Sequence, residues 1–219
     1  MIIYNQFILK EDKNMENYLD LKKSNDYTKL NIPGEVIKKG GIVVFPTETV
    51  YGIGTNGLDA NAVKKLYDIK KRPLDKPISL LVSDLDMINK IAKDITKKEY
   101  ELMKKFFPGP LTIILKKKDI VPDIVTANTD TIGIRMPSNE ITRKLIQCAG
   151  VPIAAPSANI SGEPSNTNLD DLINIFKENV DYYIDGGECK IGTASTIVKV
   201  IDEVPHILRN GSIREEEIL

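Results

Sequence analysis

The chain has no tryptophan, one histidine and two cysteines in 219 residues, and no apolar run long enough to span a bilayer. One histidine with two distant cysteines, Cys148 and Cys189, excludes an HExxH metalloprotease site, a Cys2His2 finger and a CxxC-paired zinc ribbon. Any Ser-His-Asp chemistry would have to recruit His206, between Pro205 and Ile207. So few cysteines suit a reducing compartment, and Cys148, on a predicted helix, reads as a packing residue. Asn5 and Gln6 break the apolar stretch from Met1 to Leu9, and no basic segment precedes it. No targeting signal is predicted, and the expected location is cytoplasmic, with no membrane partner.

What is present is the composition of an ordinary globular domain: 42% hydrophobic and 28% charged residues, with a net charge of −1. That total hides an asymmetry. Asn61 to Lys118 holds 15 basic and 7 acidic residues, net +8, and the remainder is net −9. A basic middle attracts phosphates, although solvated helix faces in a lysine-rich chain have the same signature.

Strand-like and helix-like segments alternate. Strands are predicted at Ile42 to Phe45, Ile78 to Val82, Leu111 to Leu115, Thr131 to Met136, Val151 to Ala155, Tyr182 to Ile184, Ser195 to Ile201 and Ile207 to Leu208. Helices are predicted before Gly40, over Ala60 to Lys71, after capping boxes at Ser83/Asp86 and Thr96/Glu99, over Asn139 to Ala149, and after an Asn168 cap. The fold class is α/β: a twisted mixed sheet with flanking helices, mixed because the helix-free stretch after Tyr182 needs antiparallel pairing.

Gly52-Ile-Gly54-Thr-Asn-Gly57 matches the dinucleotide GxGxxG, but Pro46 to Tyr51 intervenes after the strand. A dinucleotide turn needs its first glycine at the strand end, so these glycines read as a turn between strand and helix. Four other segments are heavily loaded: Pro46-Thr-Glu-Thr49, Lys70-Lys-Arg72-Pro-Leu-Asp-Lys76, Arg135 at a strand end, and Pro156-Ser157-Ala-Asn159-Ile-Ser161-Gly-Glu-Pro-Ser165. Each alone is compatible with turn chemistry. The arginines argue otherwise. Of only five, Arg72, Arg135 and Arg209 sit at strand exits or in Pro/Gly-rich turns, where a guanidinium fork suits an anionic ligand.

In this order, Gly40-Gly-Ile-Val-Val-Phe-Pro-Thr-Glu-Thr-Val-Tyr-Gly52, Lys70 to Pro77, Phe107-Pro-Gly-Pro-Leu-Thr112, Ala155-Pro-Ser-Ala-Asn-Ile-Ser-Gly162 and Gly192-Thr-Ala-Ser-Thr196 resemble the Sua5/YrdC/TsaC family, the threonylcarbamoyl-AMP synthases. The likeness runs from about residue 34 to 213 and is to the short form, so residues 1–219 are expected to be a single YrdC-like domain. It implies a nucleotidyltransferase that converts L-threonine, bicarbonate or CO2, and ATP into threonylcarbamoyl-AMP and pyrophosphate. The product would pass to downstream proteins that make the t6A modification of tRNA position 37. By the resemblance, Lys70 and Arg72 are catalytic and grip phosphates. Lys76, Thr131, Ser157, Asn159, Ser165 and Arg209 join them in binding ATP. Thr49, Arg135, the Ala155 backbone and Ser195 hold threonine. Mg2+ would ride on the triphosphate, since no dedicated carboxylate cage is found.

Leu81 stands where many members have a histidine near the threonine, and Arg209-Asn-Gly211 replaces Arg-Pro-Gly. Two other readings remain open. One is a non-catalytic module for double-stranded RNA or tRNA, drawn from the basic middle. The other is a relative that forms a carbamoyl-adenylate for a different acceptor, which Leu81 keeps open.

Overall fold

Apolar, β-branched segments assemble into one mixed sheet in the computed structural model, which describes residues 16–219. The Met1 to Leu9 stretch lies outside the described residues. The strands are β1 (Tyr18–Asp20), β2 (Val43–Phe45), β3 (Gly52–Asn56), β4 (Leu80–Leu81), β5 (Ala92–Lys93), β6 (Leu111–Lys117), β7 (Thr131–Arg135), β8 (Ile153–Ala154), β9 (Tyr182–Asp185), β10 (Thr196–Ile201) and β11 (Val204–Arg209). Their order is β1-β9-β2-β3-β8-β4-β7-β6-β10-β11, with β5 on β6 off that path. The helices are α1 (Asn31–Lys38), α2 (Ala60–Lys70), α3 (Leu85–Ile91), α4 (Lys97–Phe106), α5 (Glu140–Ala149), α6 (Asp170–Phe176) and α7 (Glu215–Ile218).

The sheet is mixed as expected, and the stretch after Tyr182 contributes pairing of both kinds. β9 runs parallel to β1 and β2, β10 runs parallel to β6, and β10–β11 is an antiparallel hairpin. Phe45, Tyr51, Leu66, Tyr67, Leu80, Ile134, Ile153 and Tyr183 are fully enclosed between sheet and helices. Each fully buried Leu, Ile or Phe of this kind stabilises by about 1.5–3 kcal/mol.

Three local expectations need correction. The glycine-rich Gly52–Asn56 segment is strand β3 rather than a turn. A Cβ on Gly54 would come within 2.6 Å of Ile153 Cγ2, and one on Gly52 within 3.0 Å of the Phe45 ring. Glycine therefore lets a strand lie close against its neighbours, a use that looks the same in sequence as a turn. Helix α3 is capped by Asp84, not Ser83: the Asp84 carboxylate accepts from Met87 N–H, and Ser83 donates to Asp84. Asn168 does not cap α6. Leu169 holds the cap position without a side-chain bond, and Asp170 and Asp171 supply the negative charge that a helix N-terminus favours. By contrast, the Thr96/Glu99 capping box is present in full, and Asn139 accepts from Thr142 N–H to start α5. Among the described residues, no helix is long and apolar enough to cross a membrane.

Candidate active site

Open α/β sheets collect ligands beyond strand ends, and the loaded segments of this chain meet there. The β2–β3 loop brings Thr49, the turn after α2 brings Arg72, the end of β7 brings Arg135, and the segment after β8 brings Ala155 and Ser157. Ser195, just before β10, and Arg209, at the end of β11, arrive together because those strands are antiparallel neighbours. These residues line a cleft of about 170 Å3, with Leu81, Ser79, Thr112, Ala194 and Ile197 in its walls. The three arginines singled out in the sequence all reach it, and among the described residues no Asp or Glu lines it. A larger depression of about 570 Å3 lies between α3 and α4, but it gathers none of the expected site residues.

Arg135 is 7% exposed. Its NH2 donates to Thr49 Oγ1 at 3.0 Å and lies 2.7 Å from Glu48 Oε1 in a buried ion pair. The ion contact is off the hydrogen-bonding line, both Glu48 oxygens are buried without hydrogen-bond partners, and Arg135 Nε is likewise buried without one. Arg209 donates from Nε and NH2 to the Ser195 carbonyl, at 3.2 and 2.8 Å, and from NH2 to Ser195 Oγ at 3.1 Å. Ser195 Oγ also shares a 2.8 Å hydrogen bond with Thr112 Oγ1. Burial lowers the pKa of Arg209, and the nearby Arg135 and Arg72 cations push the same way. Three guanidiniums that repel one another across a cleft form a receptor for a polyanion.

Lys70 differs from a solvent-exposed phosphate grip. It is 1% exposed, and its ammonium donates to the Ser157 carbonyl (2.6 Å), the Asn159 carbonyl and Asn159 Oδ1 (3.1 Å). Ser157 Oγ donates to the same Asn159 side-chain oxygen at 2.7 Å, and Asn159 Nδ2 donates to the Glu163 carbonyl. Lys70 and Asn159 thus sit behind the cleft and brace the loop that presents Ser157. Burial pushes the Lys70 ammonium down to about 7, with repulsion from Arg72 adding to it. Arg72 braces its own turn by donating to the Lys76 and Pro77 carbonyls, at 3.0 and 2.8 Å.

The other expected ATP contacts lie apart. Lys76 and Ser165 are exposed and outside the cleft lining. Thr131 begins β7, at the opposite end of that strand from Arg135. Leu81 is in the wall, and its register partner on the adjacent parallel strand is Arg135 itself. His206 is exposed, opposite Lys199 on the hairpin, and is not part of the lining. Sequence reasoning assigns no specific role to Glu48 or Thr112. Glu48 is visible within Pro46-Thr-Glu-Thr49 and Thr112 at the end of Phe107-Pro-Gly-Pro-Leu-Thr112, but the contact of Thr112 with the site comes from the parallel β6–β10 register that sets it beside Ile197.

Known proteins resemble the chain along most of its length. The Sua5/YciO/YrdC family model, described as "Telomere recombination", matches residues 35–211. A threonylcarbamoyl-AMP synthase of Pyrococcus abyssi is 42% identical over 200 residues, covering 91% of this chain and 59% of that protein. One of Bacillus subtilis is 40% identical over 184 residues, covering 84% of this chain and 53% of its own length. The chain therefore spans little more than half the length of these relatives. The crystal structure of P. abyssi Sua5 complexed with L-threonine superposes with a TM-score of 0.89 at 41% identity, covering 92% of this chain and 59% of that one.

Proposed function

This chain belongs to the Sua5/YciO/YrdC family, and from that premise and the geometry of the cleft we propose that it is an L-threonylcarbamoyl-adenylate synthase. The observation that carries the reading is the meeting of Arg72, Arg135 and Arg209 with the hydroxyls of Thr49, Ser157 and Ser195 in one cleft, with no carboxylate in its lining among the described residues. Such a lining fits a triphosphate beside a carboxylate-bearing amino acid. Mg2+ would enter on ATP. The P. abyssi protein crystallised with L-threonine supports an amino acid as the second ligand.

In this reading Arg135, supported by Thr49, Ser195 and the Ala155 backbone, takes the threonine carboxylate. Arg72, Arg209 and Ser157 take the phosphates. The threonine amine adds to CO2, losing a proton to give a carbamate; a carbamate oxygen then attacks the α-phosphorus of ATP, and pyrophosphate leaves. The chain's part is to hold the two substrates in line and to neutralise charge on the leaving group, contributions that account for most of phosphoryl-transfer catalysis. Lys70 and Asn159 contribute by holding the Ser157 loop. The product would be handed to proteins that transfer it to tRNA for t6A.

Incubation with ATP, L-threonine, bicarbonate and Mg2+ is expected to release pyrophosphate only when threonine is present; release that ignores threonine overturns the reading. Arg72→Ala should lower kcat/KM for ATP by about 100-fold, the scale of one electrostatic contact to a transferring group, and Arg135→Ala should act mainly on KM for threonine. Leu81, apolar and in register with Arg135, favours a second reading in which the carbamate forms on a different acceptor. An amino-acid panel in the same assay separates the two, since threonine must be the best acceptor under the first.

A further inference from the structure

Glu48 is the carboxylate paired with Arg135; it lines a neighbouring depression of about 270 Å3 with Thr47, Asn139 and Lys190, while the cleft's own lining holds three guanidiniums and no acid among the described residues. Its side chain is 10% exposed, Arg135's is 8% exposed, and the two touch at 2.7 Å. The cations are therefore unequal. Arg72 and Arg209 bond neutral backbone carbonyls, whereas Arg135 has a buried counter-ion. An amino-acid zwitterion carries no net charge and loses little by docking on a neutralised pair. A phosphate with two or more negative charges requires a net positive partner and meets repulsion from Glu48. Opposing the wrong ligand with a fixed like charge is how sites reject close competitors.

We infer that Glu48 is a specificity-determining residue: it reserves Arg135 for a carboxylate and keeps phosphate groups out of the amino-acid subsite. The inference rests on the proposal that Arg135 holds the amino acid. Without Glu48 the cleft lining presents three cations with no counter-ion on Arg135, and the phosphates of ATP or the released pyrophosphate compete for the amino-acid position. The Glu48–Arg135 contact is a single NH2 approach rather than a hydrogen-bonded fork, and both Glu48 oxygens are buried without hydrogen-bond partners, so the Glu48 charge is left facing Arg135.

The experiment uses the full chain and inorganic phosphate as probe. Glu48→Gln keeps the shape and an acceptor oxygen while removing the charge. Phosphate is expected to raise the melting temperature of this variant at concentrations at least tenfold below those needed for the wild type, and to inhibit threonine-dependent pyrophosphate release competitively with threonine. The gain in phosphate binding should vanish in Glu48→Gln/Arg135→Gln, which locates it on Arg135. Should Glu48→Gln fail to fold, Glu48→Asp, which holds the charge one methylene farther back, is expected to show a smaller gain of the same kind. A wild-type phosphate response in every folded variant overturns the inference. The melting readout does not depend on activity: loss of threonine dependence in the wild type would overturn the amino-acid reading while leaving the phosphate comparison to decide the role of Glu48.

Discussion

Lys70 has three N–H groups when protonated, and the fold surrounds its ammonium with three oxygens, from the Ser157 carbonyl and from both the carbonyl and the side chain of Asn159. A neutral amine can donate only twice, so the brace on this loop is complete only in the charged form. Burial opposes that form and brings the pKa down to about 7 from 10.5. The folded value lies below the unfolded one, so the unfolded chain binds more protons between these limits, and stability gained from this residue rises with pH from about 7 toward 10.5. Ligand binding has the opposite preference. A triphosphate in the adjoining cleft favours the ammonium and raises its pKa, so ATP binding is expected to take up as much as one proton above pH 7. Calorimetry at about pH 7.5 in buffers of different ionisation enthalpy reads this directly; equal proton uptake by wild type and Lys70→Met would remove Lys70 from the coupling. The same substitution leaves buried oxygens unpaired and should cost about 3 kcal/mol of stability. The resemblance places Lys70, Ser157 and Asn159 alike on ATP, whereas Lys70 is buried against the loop that carries the other two. An exposed lysine and a buried brace have the same letter, and the difference comes from tertiary packing.

At the scale of elements, strands rich in Val and Ile were legible because a short apolar run of that composition, bounded by turn residues, has little else it can form, as Ile42 to Phe45 and Thr131 to Met136 illustrate. Strand β3 was not legible, since its glycines have a role that depends on what lies opposite. The two-residue β5 and the three-residue β1 have no periodicity to read; their pairing with β6 and β9 defines them. The consequence for β3 is testable. Gly54→Ala places a methyl 2.6 Å from Ile153 Cγ2 and 3.0 Å from the Ala154 carbonyl, so β8 must shift, and β8 leads directly into Ala155 and Ser157. Overpacking of this kind costs about 1–3 kcal/mol. Urea melts should show that loss, and steady-state kinetics should show KM for the amino acid raised severalfold; an unaltered midpoint together with an unaltered KM would mean that the strand contact does not position the loop.

Over the whole molecule, the charge pattern read from the sequence and the charge at the cleft are different things. The Asn61 to Lys118 segment is net +8, yet of the three cleft arginines only Arg72 belongs to it; Arg135 and Arg209 come from the acidic remainder. Several lysines of the basic segment are engaged in ion pairs on the exterior: Lys64 with Asp68, Lys65 with Asp181, Lys97 with Glu101, Lys116 with Asp94 and Lys117 with Asp123. The exposed pairs among these contribute about 0–1 kcal/mol each to stability; Asp68, Asp94 and Glu101 are already counted in the net +8, while Asp123 and Asp181 come from outside the segment, and each paired lysine meets a polyanion together with a carboxylate that repels it. The chain is therefore expected to bind duplex RNA weakly, with a shallow dependence of log K on log salt, about two phosphate contacts or fewer. Reversing two of the paired lysines, in Lys64→Glu/Lys97→Glu, should leave threonine-dependent pyrophosphate release within about twofold, because screened surface charges beyond a Debye length of roughly 8 Å act little on the cleft. Titration of a labelled RNA duplex at several salt concentrations provides the check. A slope corresponding to about six or more contacts, lost in the double variant, would show instead that the basic segment forms a continuous nucleic-acid surface and that its lysines, rather than the three arginines, dominate the protein's electrostatics.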